Sequence, residues 1–413
     1  MAIPIREAIS RADTAIRELG HAPSTLCQYR WAWSQIGQFC SDKGEAELTE
    51  GVVASFLGFV ASEYAAGRIK EWKRKLLRKA VLVLSEVGRT GTYSWVVSRE
   101  THPNDGLNSV FRPVQEQFEQ WLTGQGLAAA TAELYATVSR KVLAWLPERG
   151  LADLGQLTGA DVQAAVVFLA GSYKPRSMRT AVTALRVFCR FVECSGWCTG
   201  LSRAVPPVSS RRSRPVSVLP ARGVEALVAS ADPGTARGRR NRAMLLLAAR
   251  TGLRPGDIAG LRLSDIDWHQ GQLRVTQHKT ATVLTLPLLT DVGAAIAEYL
   301  LHGRPAGVDD DHVFLRSQAP YVGLTSADLY HVSATAFART GTASNGDTGR
   351  GMRVLRASLA TRMLAQDTPL PVISEALGHR GIASVMHYLA TDEVRMRQCC
   401  LDFAGIAPRT PRP

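Results

Sequence analysis

Leu377-Gly378-His379, with Tyr388 nine residues further on and Leu355-Arg356-Ala357-Ser358 upstream, decides how this chain is read. It gathers a guanidinium, an imidazole and a phenol into 33 residues near the end of a basic polypeptide. Arg254 and Lys279 lie further upstream. Fixed cations and hydrogen-bond donors around one oxygen nucleophile suit displacement at phosphorus without a metal ion. An ordinary phenol, with a pKa of about 10, is only about 0.1% ionised at neutral pH, a handicap of about 4 kcal/mol that neighbouring cations reduce.

Around this stretch the patterning is mostly helical. Helical periods at residues 223–230 and 242–251 precede two short β-rich runs, 272–275 and 282–287, with His278-Lys279-Thr280 between them. Further helices are predicted at 291–301, 326–339, 353–365, 371–377, 384–389 and 393–403. The expectation is an α-rich domain with a small antiparallel β-sheet carrying Lys279 at a turn. Neither a H-E-x-x-H nor a C-x-x-C motif occurs, nor a Gly-x-x-x-x-Gly-Lys-[Ser/Thr] loop, so no metal, nucleotide or other cofactor is expected.

The N-terminal half repeats itself. Thr25, Tyr29 and Gly44 recur as Thr131, Tyr135 and Gly150, and Val53, Phe59 and Tyr64 recur as Val162, Phe168 and Tyr173. Each copy reads as an amphipathic helix, a helix start at Thr49 or Thr158 with a second apolar helix, and then a basic helix. The basic helices contain Arg68, Lys70, Lys73, Arg74, Lys75, Arg78 and Lys79 in one copy, and Lys174, Arg176, Arg179, Arg186 and Arg190 in the other. Such runs are often just solvated helix faces, but their repetition in adjacent modules points to phosphate contacts. A Pro-rich basic stretch with Arg211, Arg212 and Arg214 reads as a linker suited to lie along a phosphate backbone. The organisation is therefore read as a helical module at 1–105, a second DNA-binding helical module at 106–202, a linker at 203–220 and a catalytic domain at 221–413.

Bulk composition narrows the partner. The chain has 413 residues, 46% of them apolar and 21% charged, which describes a globular protein of two or three domains. A formal charge of +13 favours an anionic partner, and the basic residues are spread along the chain. The longest apolar run, residues 243–249, is too short to span a bilayer, so nucleic acid is favoured over a membrane. Arg6 and Glu7 interrupt any secretory leader, and seven cysteines form no complete disulfide framework, so a cytoplasmic, nucleoid-associated setting is expected.

Residues 240–392 resemble the catalytic domain of the tyrosine recombinases, the family of phage integrases and Xer-type recombinases. The likeness rests on Arg250-Thr251-Gly252-Leu253-Arg254-Pro255-Gly256-Asp257-Ile258, on His278-Lys279-Thr280, on Leu355-Arg356-Ala357-Ser358 and on Leu377-Gly378-His379 with Tyr388. It implies a site-specific DNA recombinase acting through a 3′-phosphotyrosine. Arg254 and Arg356 would clamp the scissile phosphate, Lys279 would protonate the departing 5′ oxygen, His379 would hydrogen-bond the phosphate, and Tyr388 would be the nucleophile. Asp257 matches a supporting acidic position. Arg353 stands where the family usually has histidine; it can donate to a phosphate oxygen but cannot accept a proton. The resemblance further implies duplex DNA with specific recombination sites, clamped between the helical modules and the catalytic domain. It implies a homotetramer assembled on that DNA, with residues 393–403 exchanged between protomers, alongside sibling recombinases or accessory factors. Two front modules resemble transposon-borne members, which suggests integration, excision or transposition of a mobile element. The rival readings are a DNA-relaxing enzyme of the type IB topoisomerase kind and a non-catalytic DNA-binding accessory protein.

Overall fold

A computed structural model describes residues 3–93, 103–208, 216–342, 349–379, 381, 385 and 388. The described residues up to Tyr93 and those from Val216 onward form one compact unit, and those between form a second. The protein is mainly α-helical with two small antiparallel sheets.

The first helical module contains α1 (Ile5–Glu18), α2 (Pro23–Asp42), α3 (Glu50–Ala65) and α4 (Glu71–Thr90), with a two-stranded ribbon of β1 (Ile3–Pro4) and β2 (Glu47–Leu48). The second unit contains α5 (Phe111–Thr123), α6 (Ala129–Trp145), α7 (Gly159–Ser172), α8 (Pro175–Cys194) and the short α9 (Leu201–Ala204).

The internal repetition reaches the level of side-chain contacts. Thr49 caps α3 by accepting from the Val52 N–H, and Thr158 caps α7 by accepting from the Asp161 N–H in a capping box. Phe39 meets Phe59 with ring centroids 5.1 Å apart, and at the matching place Trp145 stacks on Phe168 at 4.9 Å. Lys43 lies over Phe39 as Arg149 lies over Trp145, and Tyr64 and Tyr173 are covered by Arg74 and Lys141. Each copy also has a leading helix beyond the three read from the sequence. Helix α1 buries Ile5, Ala8, Ala12 and Ile16, and α5 buries Phe111, Gln115, Phe118 and Leu122, both at helical spacing.

The C-terminal region comprises α10 (Ala221–Ala229), α11 (Ala236–Thr251), α12 (Pro255–Ala259), β3 (Ile266–Asp267), β4 (Gln272–Thr276), β5 (Val283–Pro287), α13 (Thr290–His302), α14 (Ser326–Thr340), α15 (Arg353–Ala365) and α16 (Leu370–Ala376). Helix α11 runs through the core, and every residue from Ala243 to Ala249 is buried. The sheet order is β3-β4-β5; Leu273 pairs with Leu286 and Val275 with Leu284, and Leu273, Val275 and Leu284 join the core. Leu219 is buried in the same core and donates its N–H to Ser358 Oγ at 2.8 Å, tying the incoming chain to α15. The predicted helix at 393–403 lies outside the described residues. Among the described residues no helix is long and apolar enough to cross a membrane.

Candidate active site

Four elements converge at one end of the C-terminal core: the α11–α12 turn, the β4–β5 turn, the start of α15 and the turn after α16. The α11–α12 turn begins at Gly252, whose φ of +65° ends α11 in the left-handed conformation. A Cβ there would stand 2.6 Å from Leu377 Cδ2, so a glycine lets the turns after α11 and α16 approach each other. Two residues on, Arg254 caps α12 in an extended conformation, with Pro255 in the first helical turn.

The Arg254 guanidinium donates to Gln277 Oε1 at 2.6 Å and to the Gly378 carbonyl at 3.4 Å. It lies 3.8 Å from Asp257 Oδ2. Asp257 is buried, and its other oxygen accepts the His278 N–H at 2.9 Å. One carboxylate thus joins Arg254 to the turn that holds Lys279.

Arg356 lies in the first turns of α15 and is 6% exposed. It donates to the Gly252 carbonyl at 2.7 Å and to the Leu377 carbonyl at 2.8 Å, and its Nη2 meets His379 Nε2 at 2.7 Å. A guanidinium only donates, so Nε2 must be the acceptor, which assigns a neutral imidazole with its proton on Nδ1. Burial, and then the charge of Arg254, lower the Arg356 pKa, while the Tyr388 phenol, which hydrogen-bonds it, acts in the opposite direction. Arginine remains charged nonetheless.

The Tyr388 ring stacks on His379 with centroids 6.2 Å apart and planes 17° from parallel. It also packs on the small apolar cluster of Ala360, Leu364, Ile373, Leu377 and Val385. Arg254, Arg356, His379 and Tyr388 are therefore brought together. Lys279 and Arg353 are exposed and make no hydrogen bond or ion pair with any described residue. Lys279 sits on the β4–β5 turn, and Arg353 is the first residue of α15, at the end of the helix dipole that attracts anions.

The two basic helices differ. In the first module Arg68 is held by Glu63 at 2.6 Å, Glu71 pairs with Arg74 at 2.8 Å and with Lys75 at 3.2 Å, and Lys73 lies over the Trp31 ring. The hydrogen bond from Arg74, foremost among the causes, pulls the Glu71 pKa down to about 2. Lys70 is exposed at the start of α4, whereas Lys79 faces Arg316, and burial followed by that like charge lowers its pKa. In the second module Lys174, Arg176 and Arg179 are exposed at the start of α8 and make no ion pair with a described residue. Arg186 instead donates to the carbonyls of Val205 and Pro206. Arg211, Arg212 and Arg214 lie outside the described residues.

Sequence reading overlooked Gln277. Its signal is present: Leu273, Val275 and Gln277 occupy alternate positions, all three are buried, and a polar residue on the inward side of a strand needs partners.

A helical scaffold thus turns a phenol toward a buried guanidinium, beside a helix start open to anions, an arrangement suited to an anionic phosphate ester. Residues 217–395 match the phage integrase family. The integrase/recombinase y4rF of Sinorhizobium fredii strain NGR234 is 32% identical over 398 residues, covering 94% of this chain and 88% of the relative. The tyrosine recombinase XerD of Mycobacterium tuberculosis is 28% identical over 301 residues, 69% of this chain and 94% of XerD. Among solved structures, XerH site-specific recombinase bound to its difH substrate superposes with a TM-score of 0.55 at 16% identity, over 84% of this chain and 95% of that one. The chain belongs to the phage integrase family of tyrosine recombinases, site-specific enzymes that cleave and rejoin DNA through a covalent tyrosine intermediate.

Proposed function

We propose that Tyr388 is the nucleophile and acts on a phosphate held by the same chain. Its phenolic oxygen bonds to phosphorus as the bond to the 5′ oxygen breaks, leaving a 3′-phosphotyrosine. Arg254 and Arg356 bind the non-bridging oxygens, and His379 supports them by holding the Arg356 guanidinium through Nε2. Lys279 gives its proton to the departing 5′ oxygen. The phenolic proton passes to solvent, because neither Arg353 nor Arg356 accepts a proton and His379 Nε2 is already an acceptor. Arg353 strengthens the positive field at the start of α15. Rejoining reverses these steps and needs no external energy source.

The observation that carries this reading is Arg356, which links Gly252, Leu377, His379 and Tyr388 from three separate stretches of chain. The exposed Lys174, Arg176 and Arg179 make the main helical phosphate contacts, the linker arginines Arg211, Arg212 and Arg214 continue along the backbone, and Lys70 and Lys73 extend the contact. Arg68 and Arg74 contribute less because glutamates already hold them. A structural relative, lambda integrase, has been captured as a tetramer on a Holliday junction, and another is the Tn1549 transposon integrase with transposon end DNA. By analogy this chain assembles as four protomers on two duplexes at specific sites, serves a mobile element and works at the nucleoid, with sibling recombinases or accessory factors where the element encodes them. The test is incubation with a nicked suicide DNA substrate: wild type forms a covalent adduct, and Y388F forms none while binding DNA with affinity within about twofold of wild type. An adduct with Y388F refutes the assignment.

A further inference from the structure

We propose that Gln277 is a positioning residue that locks the Arg254 guanidinium to the Lys279 turn, so that the phosphate clamp and the leaving-group acid move as one piece. This rests on the assignment of Lys279 made above. The side chain is wholly buried, and each of its polar atoms is used. Oε1 accepts from Arg254 Nη1 at 2.6 Å and from the Thr280 hydroxyl at 2.7 Å. Nε2 donates to the Leu377 carbonyl at 3.2 Å, the same oxygen that accepts from Arg356.

One amide thus touches three parts of the site: an arginine, the residue next to Lys279, and the turn leading to His379. The backbone adds to this, since the Gln277 N–H donates to the Thr282 carbonyl and the Gln277 carbonyl accepts from the Ala281 N–H, closing the turn on Gln277. Gly378 faces the amide so closely that a Cβ there would lie 2.4 Å from Gln277 Nε2. The glycine before His379 is therefore matched to the glutamine that directly follows β4.

Lys279 itself is exposed and makes no hydrogen bond or ion pair with any described residue. What fixes it relative to the phosphate is its turn, and the turn is fastened from inside by the Thr280–Gln277–Arg254 chain and from the other side by Asp257 through the His278 N–H. Losing the amide removes one of these fastenings. A displacement on the order of 1 Å at a reacting group can slow a reaction about 100-fold.

The test separates placement of the acid from placement of the clamp. Two nicked suicide substrates are compared under single turnover, one with the ordinary 5′ oxygen at the scissile phosphate and one with sulfur in that bridging position. A thiolate leaves without protonation because a thiol's pKa is about 8.5, far below that of an alcohol. Q277L is expected to cleave the oxygen substrate about 100-fold more slowly than wild type, with a deficit at least about tenfold smaller on the sulfur substrate and unchanged DNA affinity. T280V, which removes only the hydroxyl link, should show the same pattern in milder form and carries the test should Q277L fail to fold. Equal deficits of Q277L on both substrates, or T280V cleaving both at the wild-type rate, overturn the proposal. K279A is the control for the underlying assignment: failure of sulfur to rescue it refutes the role of Lys279 rather than that of Gln277.

Discussion

Arg356→Lys retains the charge and removes the fork, and its effect follows from the hydrogen bonds at that side chain. The guanidinium serves the carbonyls of Gly252 and Leu377 and the imidazole of His379 at 2.7 to 2.8 Å from a position 6% exposed. An ammonium carries three tetrahedral donors at one point and does not span two carbonyls and a ring nitrogen that a planar fork was holding apart. At least one buried acceptor is left unserved. Hydrogen bonds to charged groups are worth about 1.5–3 kcal/mol each, so the variant should lose about 2–4 kcal/mol of stability, read from urea unfolding. In the reaction, a missing preorganised donor at the phosphoryl oxygens costs about 2.7–4 kcal/mol, or about 100- to 1,000-fold in single-turnover formation of the covalent adduct. The His379 ring also loses its anchor, so the defect should not be confined to ground-state binding: DNA affinity changes far less than the cleavage rate. An R356K protein that unfolds like wild type and cleaves within about tenfold of its rate would refute the claim that the planar fork organises this site.

Gly378→Ala places a side chain at φ +60° and a Cβ 2.4 Å from Gln277 Nε2; it should lose at least about 1–2 kcal/mol in unfolding experiments and slow cleavage, because the amide must move. Arg176→Gln and Arg179→Gln should each lower the slope of log affinity against log salt by about 0.9, whereas Arg68→Gln, whose wild-type charge is already paired with Glu63, should change it much less. Thr158→Ala removes the cap of α7 and should lower stability by about 1 kcal/mol at neutral pH. The Thr158 hydroxyl, foremost among its partners, holds the Asp161 carboxyl below its ordinary value, so that contribution is present above the usual carboxylate range. It is lost as the pH falls through the folded pKa, so the difference between wild type and T158A should narrow below about pH 4 in acid titrations followed by circular dichroism.

What was legible in the sequence is what side-chain chemistry or helix punctuation enforces. Arg254, Arg356, His379 and Tyr388 stand out because few combinations of residue types suit a phosphate, and Thr49 and Thr158 mark helix starts because a cap needs a short side-chain oxygen. The helical fold with a small sheet followed from apolar periodicity. The leading helices α1 and α5 were missed although their buried positions recur at helical spacing; in α1 two of the four are alanines, which give little apolar contrast against a charged face. The main-chain carbonyls of Gly252, Leu377 and Gly378 leave no mark on residue identity, yet they set the orientation of both guanidiniums. The two basic helices look alike as strings of letters. Only the fold shows that Glu71 holds Arg74 of one and Glu63 holds Arg68 in the turn before it, while Lys174, Arg176 and Arg179 at the start of the other stay exposed.

These carbonyl contacts bear on how the site meets DNA. Two like-charged guanidiniums side by side repel each other, and that repulsion tends to push the α11–α12 turn carrying Arg254 away from the start of α15 carrying Arg356. Here the carbonyl dipoles of the turns after α11 and α16, with the Gln277 amide, offset that repulsion in the absence of DNA. Arg356 makes its protein contacts almost out of solvent, whereas the Arg254 side chain is 23% exposed. On the proposed roles, an incoming phosphate meets the more exposed Arg254 first and finds Arg356 already oriented, with Tyr388 in contact with it. Reorganisation that would otherwise accompany the reaction is completed during folding, which is the condition under which electrostatic stabilisation of a transition state is most effective.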